Sequence, residues 1–167
     1  MLGKAKLLGH PIHQMLVVFP LGLLTTAVAF DLVAMALNSQ SMTLAAYRVL
    51  TAGLIGGLLA APFGLIDWLS IPRGTRAKRI GALHAGGNVV VLLLFGASLW
   101  LRPDTAQLAT GPAYALSFAG VLLMMATAWL GGELVDRLGV GVYNDANVDA
   151  PSSLHAPPHR MPQVPKV

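Results

Sequence analysis

The sequence predicts an all-α fold, an integral membrane four-helix bundle of up-down topology with both termini in the cytoplasm. Three observations carry that expectation. Hydrophobic residues make up 55% of the 167-residue chain and charged residues only 11%, against roughly 25% charged in a soluble domain, and the mean hydropathy is +0.67. Charges divide the chain into four apolar stretches, each near the ~20 residues that a helix needs to cross a ~30 Å hydrocarbon core. The stretches are joined by short connections, which makes successive helices antiparallel neighbours.

The first stretch follows His13, carries no charge until Asp31 and stays apolar to Leu37, so its span is placed at about 14–37. Lys4 and Lys6 ahead of it, with Ala27-Val28-Ala29 beyond, loosely match a secretory leader. The run is long for a leader, and we read it as a retained helix. An uncharged run between Arg48 and Asp67 gives a second span at about 47–70. Within it Gly53 and Gly57 stand four apart and permit close backbone approach, while Pro62 should kink the helix and free the carbonyl of Leu58. The third span, about 80–101, lies between Arg79 and Arg102, with Gly81 and Ala85 as its small pair. The fourth, about 112–135, lies between Asp104 and Glu133. Residues 1–143 then form the transmembrane domain. From Asn144 the composition turns to Asp, Ser and proline (Pro151, Pro157, Pro158, Pro162, Pro165), so 144–167 reads as a flexible cytoplasmic tail in which His155 and His159 are ordinary tail residues.

Orientation follows from the positive charges. With the N-terminus inside, the cytoplasmic side carries Lys4, Lys6, Arg73, Arg76, Lys78, Arg79, Arg137, Arg160 and Lys166, and the outside only Arg48 and Arg102. Trp68 and Trp129 fall near the inner interface, and Tyr47, Trp100 and Tyr114 near the outer one. The net charge of +4 is read as loop positives facing an anionic leaflet. No aromatic-interleaved basic surface points to nucleic acid. The chain has no cysteine, which excludes disulfides, thiolate metal sites and thiol nucleophiles. No serine sits in a G-x-S-x-G elbow and no Gly-Lys loop cradles phosphate, so no catalytic residue is assigned.

Antiparallel threading gathers the remaining ionisable groups at one depth. His10 and His13 open the first helix, Asp67 closes the second, His84 opens the third, and Glu133 and Asp136 close the fourth. Asn88 stands one turn beyond His84 on the same face. His10, His13 and His84 with Asp67 or Glu133 make a nitrogen-and-oxygen set suited to zinc, iron or copper(II). Alternatively His13 and His84, on parallel diagonal helices, make the two axial ligands of a haem. A third reading is a network of caps and ion pairs with Arg73, Arg76, Lys78 or Arg79 that only holds helix ends together. At the opposite end, Asp31 lies 18 residues past His13, about 27 Å along a helix. There an ion pair or small network with Arg48 and Arg102 is expected.

With these segments in place, the chain resembles a family of uncharacterised bacterial four-helix integral membrane proteins, a domain of unknown function described as a predicted membrane protein. The resemblance rests on His10-Pro11-Ile12-His13, Phe19-Pro20-Leu21-Gly22, Asp31, Gly64-Leu65-Ile66-Asp67-Trp68, the His84/Asn88 pair, and Gly131-Gly132-Glu133-Leu134-Val135 with Gly139-Val140-Gly141-Val142. It covers about residues 9–143. Gln14 stands where the family often repeats a proline, and Val18 where many members carry a further histidine. Some relatives are joined to Rieske-type iron–sulfur domains, so the resemblance implies a redox role.

Two functional expectations follow. One is a redox or cofactor-holding module of the bacterial cytoplasmic (inner) membrane, in which haem b or a transition metal (zinc or iron) is held by His13, His84 and Asn88, or by His10, His13, His84, Asp67 and Glu133. It would work as an electron-transfer subunit with a quinone or a redox protein rather than as an enzyme on its own. The other is a structural or accessory subunit. Transport is disfavoured, because between the two polar layers the spans offer little beyond Thr25, Thr26, Thr51 and Ser98.

Overall fold

A computed structural model describes residues 5–102 and 108–154. Four helices in it are long and apolar enough to cross a membrane: Ile12–Leu37, Gln40–Ser70, Arg76–Trp100 and Gly111–Arg137. They pack against one another as an all-α membrane bundle. The first is divided into α1 (Ile12–Leu16) and α2 (Val18–Leu37). The others are α3 (Gln40–Ser70), α4 (Arg76–Trp100) and α5 (Gly111–Gly132), the last continued by a wider π turn over Glu133–Arg137.

Local chemistry sets the helix starts. Ser39, Thr75 and Thr110 each turn a side-chain oxygen back onto a backbone N–H, of Met42, Lys78 and Ala113 respectively, which satisfies donors that the first turn leaves free. The Ser39 cap starts α3 at Gln40, well before the expected 47. Pro62 lies inside α3, and the helix runs on through it to Ser70. Pro20 coincides with a break. It has no N–H to give the carbonyl of Leu16, α1 ends at that residue, and α2 resumes at Val18.

The packing makes two hairpins. α2 lies most extensively on α3 and α4 on α5, with fewer contacts between the pairs. Close approach depends on glycine: a Cβ at Gly53 would stand 2.7 Å from Leu24 Cδ2, at Gly57 2.6 Å from Leu92 Cδ2, and at Gly120 2.8 Å from Phe95 Cε2. A core of Leu24, Ala27, Val28, Leu50, Val91, Phe95 and Met124 fills the middle. Leu32, Leu58, Leu59, Leu93 and Leu122 face outward, as the surface of a bilayer-embedded protein requires.

The end where α1 begins and the π turn finishes is covered by short pieces. β1 (Lys6–Leu7) pairs antiparallel with β2 (His10–Pro11) around Leu8 and Gly9, whose φ angles are 50° and 88°. Tyr143 Oη donates to the Gly9 carbonyl at 2.7 Å, and Ser153 Oγ to that of Leu8 at 3.1 Å. Of the segment after Asn144, Ser153 thus reaches back to the hairpin. His155, His159 and the rest of the Pro-rich segment lie outside the described residues.

Candidate functional site

His13 lies on α1 and reaches across to α3, where its Nδ1 is 3.0 Å from the carbonyl oxygen of Ala60. Its ring occupies the space over Gly64, where a Cβ would stand 2.8 Å from His13 Cε1. His84 makes the corresponding contacts in the other hairpin. Its Nδ1 lies 2.8 Å from the carbonyl oxygen of Thr127, and a Cβ at Gly131 would stand 3.1 Å from its Cε1. The two imidazoles meet across the bundle, with centroids 6.4 Å apart and planes at 89°.

The backbone partners fix the tautomers. A carbonyl oxygen only accepts, so each neutral ring carries its proton on Nδ1 and exposes a lone pair at Nε2. His84 Nε2 receives a hydrogen bond from Asn88 Nδ2 at 3.2 Å. Thr127 Oγ1 lies 2.9 Å from Asn88 Oδ1 and 3.0 Å from the carbonyl oxygen of Met124, so its single proton is shared between two acceptors; the Asn88 NH2 faces His84 because a bare Nε2 only accepts. His13 Nε2 has no hydrogen-bond partner among the described residues. Main-chain anchoring of Nδ1 is the arrangement that orients imidazoles serving as metal ligands.

The structure does not bring His10, Asp67 and Glu133 into this pair. His10 is exposed on β2 beside Ser153 Oγ, 3.4 Å away. Asp67 Oδ1 accepts the backbone N–H of Ala5 at 3.3 Å. Glu133 Oε1 accepts from Arg76 Nη2 at 2.7 Å. Among the described residues, no group of three or more His, Asp or Glu stands close enough to hold a metal ion. The physical reason is that Asp67 and Glu133 are engaged at their own helix ends and His10 on the β1–β2 hairpin, whereas His13 and His84 reach across to carbonyls of neighbouring helices. Lys78 likewise turns onto α3, donating to the Trp68 carbonyl at 2.7 Å and lying 3.8 Å over its ring.

The opposite end holds the ion pair expected of Asp31. Arg102 grips it with both guanidinium nitrogens, Nη1–Oδ1 at 2.7 Å and Nη2–Oδ2 at 2.5 Å, and the side chains are 2% and 0% exposed. Arg102 Nη2 also donates to Ser117 Oγ at 3.0 Å, and Ser98 Oγ lies 2.8 Å from Ser117 Oγ. Arg48 is exposed and takes no part. Tyr114, expected at the outer interface, is buried under Arg102, whose guanidinium carbon is 5.8 Å from the ring centre.

Sequence reasoning missed Ala60 and Thr127. A main-chain acceptor carries no side-chain signature, and a threonine in an apolar helix looks like packing. The spacing of His84 and Asn88 by one helical turn was the nearest available signal.

A family model described as predicted membrane protein (DUF2231) matches residues 9–144. The chain belongs to this family. The match takes in both histidines, their glycine contacts and the buried ion pair, so the whole arrangement lies within the family domain. No curated protein and no solved structure matches the chain.

Proposed function

We propose that this membrane protein is a redox or cofactor-holding module in which His13 and His84 ligate one metal centre, the iron of haem b. The supporting observation is the pair itself: two imidazoles on separate hairpins, each pinned through Nδ1 to a main-chain carbonyl, which leaves Nε2 as the ligating atom, open at His13 and covered by the Asn88 amide at His84. At a centre-to-centre distance of 6.4 Å, His13 and His84 would be near enough to hold one metal centre between them through bonds of ~2 Å. A zinc or non-haem iron site needs three or four protein donors, and the described residues bring no such group together. Haem would ask only two residues of the chain, and His13 and His84 would be those two. When bound, the group would supply a one-electron couple. The chain's own part is to hold the ligand rings and shelter them between helices.

The excess of Lys and Arg at the histidine end supports a cytoplasmic location for it in a bacterial inner membrane. Both histidines lie near that one end. Electron transfer therefore needs a second carrier, a quinone in the bilayer or a redox protein on the cytoplasmic side.

One observation favours a second reading, a structural or accessory subunit. His10, Asp67 and Glu133 spend their polar atoms on Ser153, Ala5 and Arg76, which ties helix ends and termini together without a ligand. A reduced-minus-oxidised absorbance spectrum of the protein purified in mild detergent from haem-replete cells separates the two. The haem reading expects a sharp Soret and α-band pair that is absent from His13→Ala and His84→Ala. A flat wild-type spectrum overturns it and leaves the structural reading.

A further inference from the structure

Resting on the haem reading, we infer that Asn88 is a gate that competes with the metal for His84, so that loading begins at His13 and is completed by displacing the Asn88 amide. The geometry sets the two histidines apart. Both present Nε2 lone pairs, but that of His84 already receives the Asn88 NH2 at 3.2 Å, while that of His13 has no hydrogen-bond partner among the described residues. An imidazole nitrogen has one in-plane lone pair, so an amide proton and a metal ion cannot share it.

Thr127 makes the competition firm. Its carbonyl takes the Nδ1 proton of His84 at 2.8 Å, and its hydroxyl lies 2.9 Å from Asn88 Oδ1, sharing its proton with the Met124 carbonyl at 3.0 Å. If the amide turned over, Asn88 would present its oxygen to a bare nitrogen and its NH2 to the hydroxyl, and the His84 contact would be lost. One residue therefore fixes the tautomer of His84, which selects the amide NH2 as its cover, and lends that amide a shared hydroxyl contact. Asn88 is four residues from His84 on α4, so the covering group travels with the ligand it guards.

This assignment reverses the sign expected of a residue that supports the ligand. If Asn88 helped to hold the centre, its removal would weaken binding. As a competitor worth one ordinary hydrogen bond, its removal should tighten binding by about five-fold. The test is a titration of hemin into full-length protein purified in mild detergent from haem-limited cells, followed by Soret absorbance, for wild type, Asn88→Ala, Thr127→Val and His13→Ala. Thr127→Val keeps the carbonyl and nearly the shape of the side chain but frees the amide to rotate, so it checks Asn88→Ala against any packing defect. The proposal expects both variants to bind hemin several-fold more tightly and faster than wild type, and His13→Ala to lose it. Weaker or unchanged binding in both, with wild type binding, overturns the gate and leaves the haem reading standing. If no chain takes up hemin, the gate and the haem reading fall together. If only the two variants take it up, the gate is established in its strongest form.

Discussion

A glycine lies opposite each imidazole, and the two sites differ in how much room they leave. A Cβ at Gly64 would press on the His13 ring at 2.8 Å, one at Gly131 on the His84 ring at 3.1 Å, and one at Gly86 would meet nothing within 4 Å. Overpacking of an ordered interface costs about 1–3 kcal/mol, whereas replacing an unencumbered helical glycine by alanine gains about 0.5–1 kcal/mol. Thermal melting in detergent should therefore rank Gly64→Ala well below wild type, Gly131→Ala between the two, and Gly86→Ala at or above it. A Gly64→Ala protein as stable as wild type would show that the His13 ring is free to move aside. The same residues show what was legible in the sequence. His13 and His84 could be found because histidine is rare in an apolar span and the threading places both near one end. Their immediate partners could not: Ala60 and Thr127 act through carbonyls, and Gly64 and Gly131 through the absence of a side chain, so each resembles ordinary helix packing until the chain is folded.

At the level of the elements, the two prolines that lie past the first turn of a membrane span, Pro20 and Pro62, have unequal consequences. Pro62 is carried inside a continuous α3, while Pro20 coincides with the division of the first span at Val17. The division sets His13 on a five-residue helix whose register need not follow that of α2. Pro20→Ala restores the N–H that the Leu16 carbonyl lacks, which should fuse α1 with α2. On the haem reading, the expected outcome is a protein that melts no lower than wild type yet loses most of the Soret absorbance, because His13 would be turned away from Ala60. Unchanged absorbance would mean that the Ala60 contact, not the break, places the ring. The sequence exposed which stretches cross the membrane, because charges cannot be left in hydrocarbon, but not how far each helix extends beyond it. Ser39 starts α3 outside the apolar run, and the π turn carries the fourth helix on to Arg137. Caps and local backbone geometry set those ends, and hydropathy does not register them.

Across the whole molecule, the two hairpins are cross-tied along one diagonal at both ends. The first span meets the third through His13 and His84 at one end, and through Asp31 and Arg102 just past α4 at the other. The second tie is the more demanding, since a bidentate pair excluded from solvent cannot lose one partner without stranding the other charge. Breaking such a pair from one side costs about 3–5 kcal/mol, whereas replacing both partners by apolar residues is often near neutral. Asp31→Asn should accordingly lower the melting temperature in detergent sharply, and Asp31→Leu combined with Arg102→Met should recover most of the loss. A double variant no more stable than Asp31→Asn would mean that Ser98, Ser117 and Tyr114 need the guanidinium itself. The ties also separate stability from ligation. Asp31 is roughly 27 Å of helix away from His13, so on the haem reading Asp31→Asn, below its melting temperature, should keep a Soret band that His84→Ala would abolish. Equal loss in both would mean that the diagonal acts as one brace, and that the spacing of the histidines is set from the far end of the bundle.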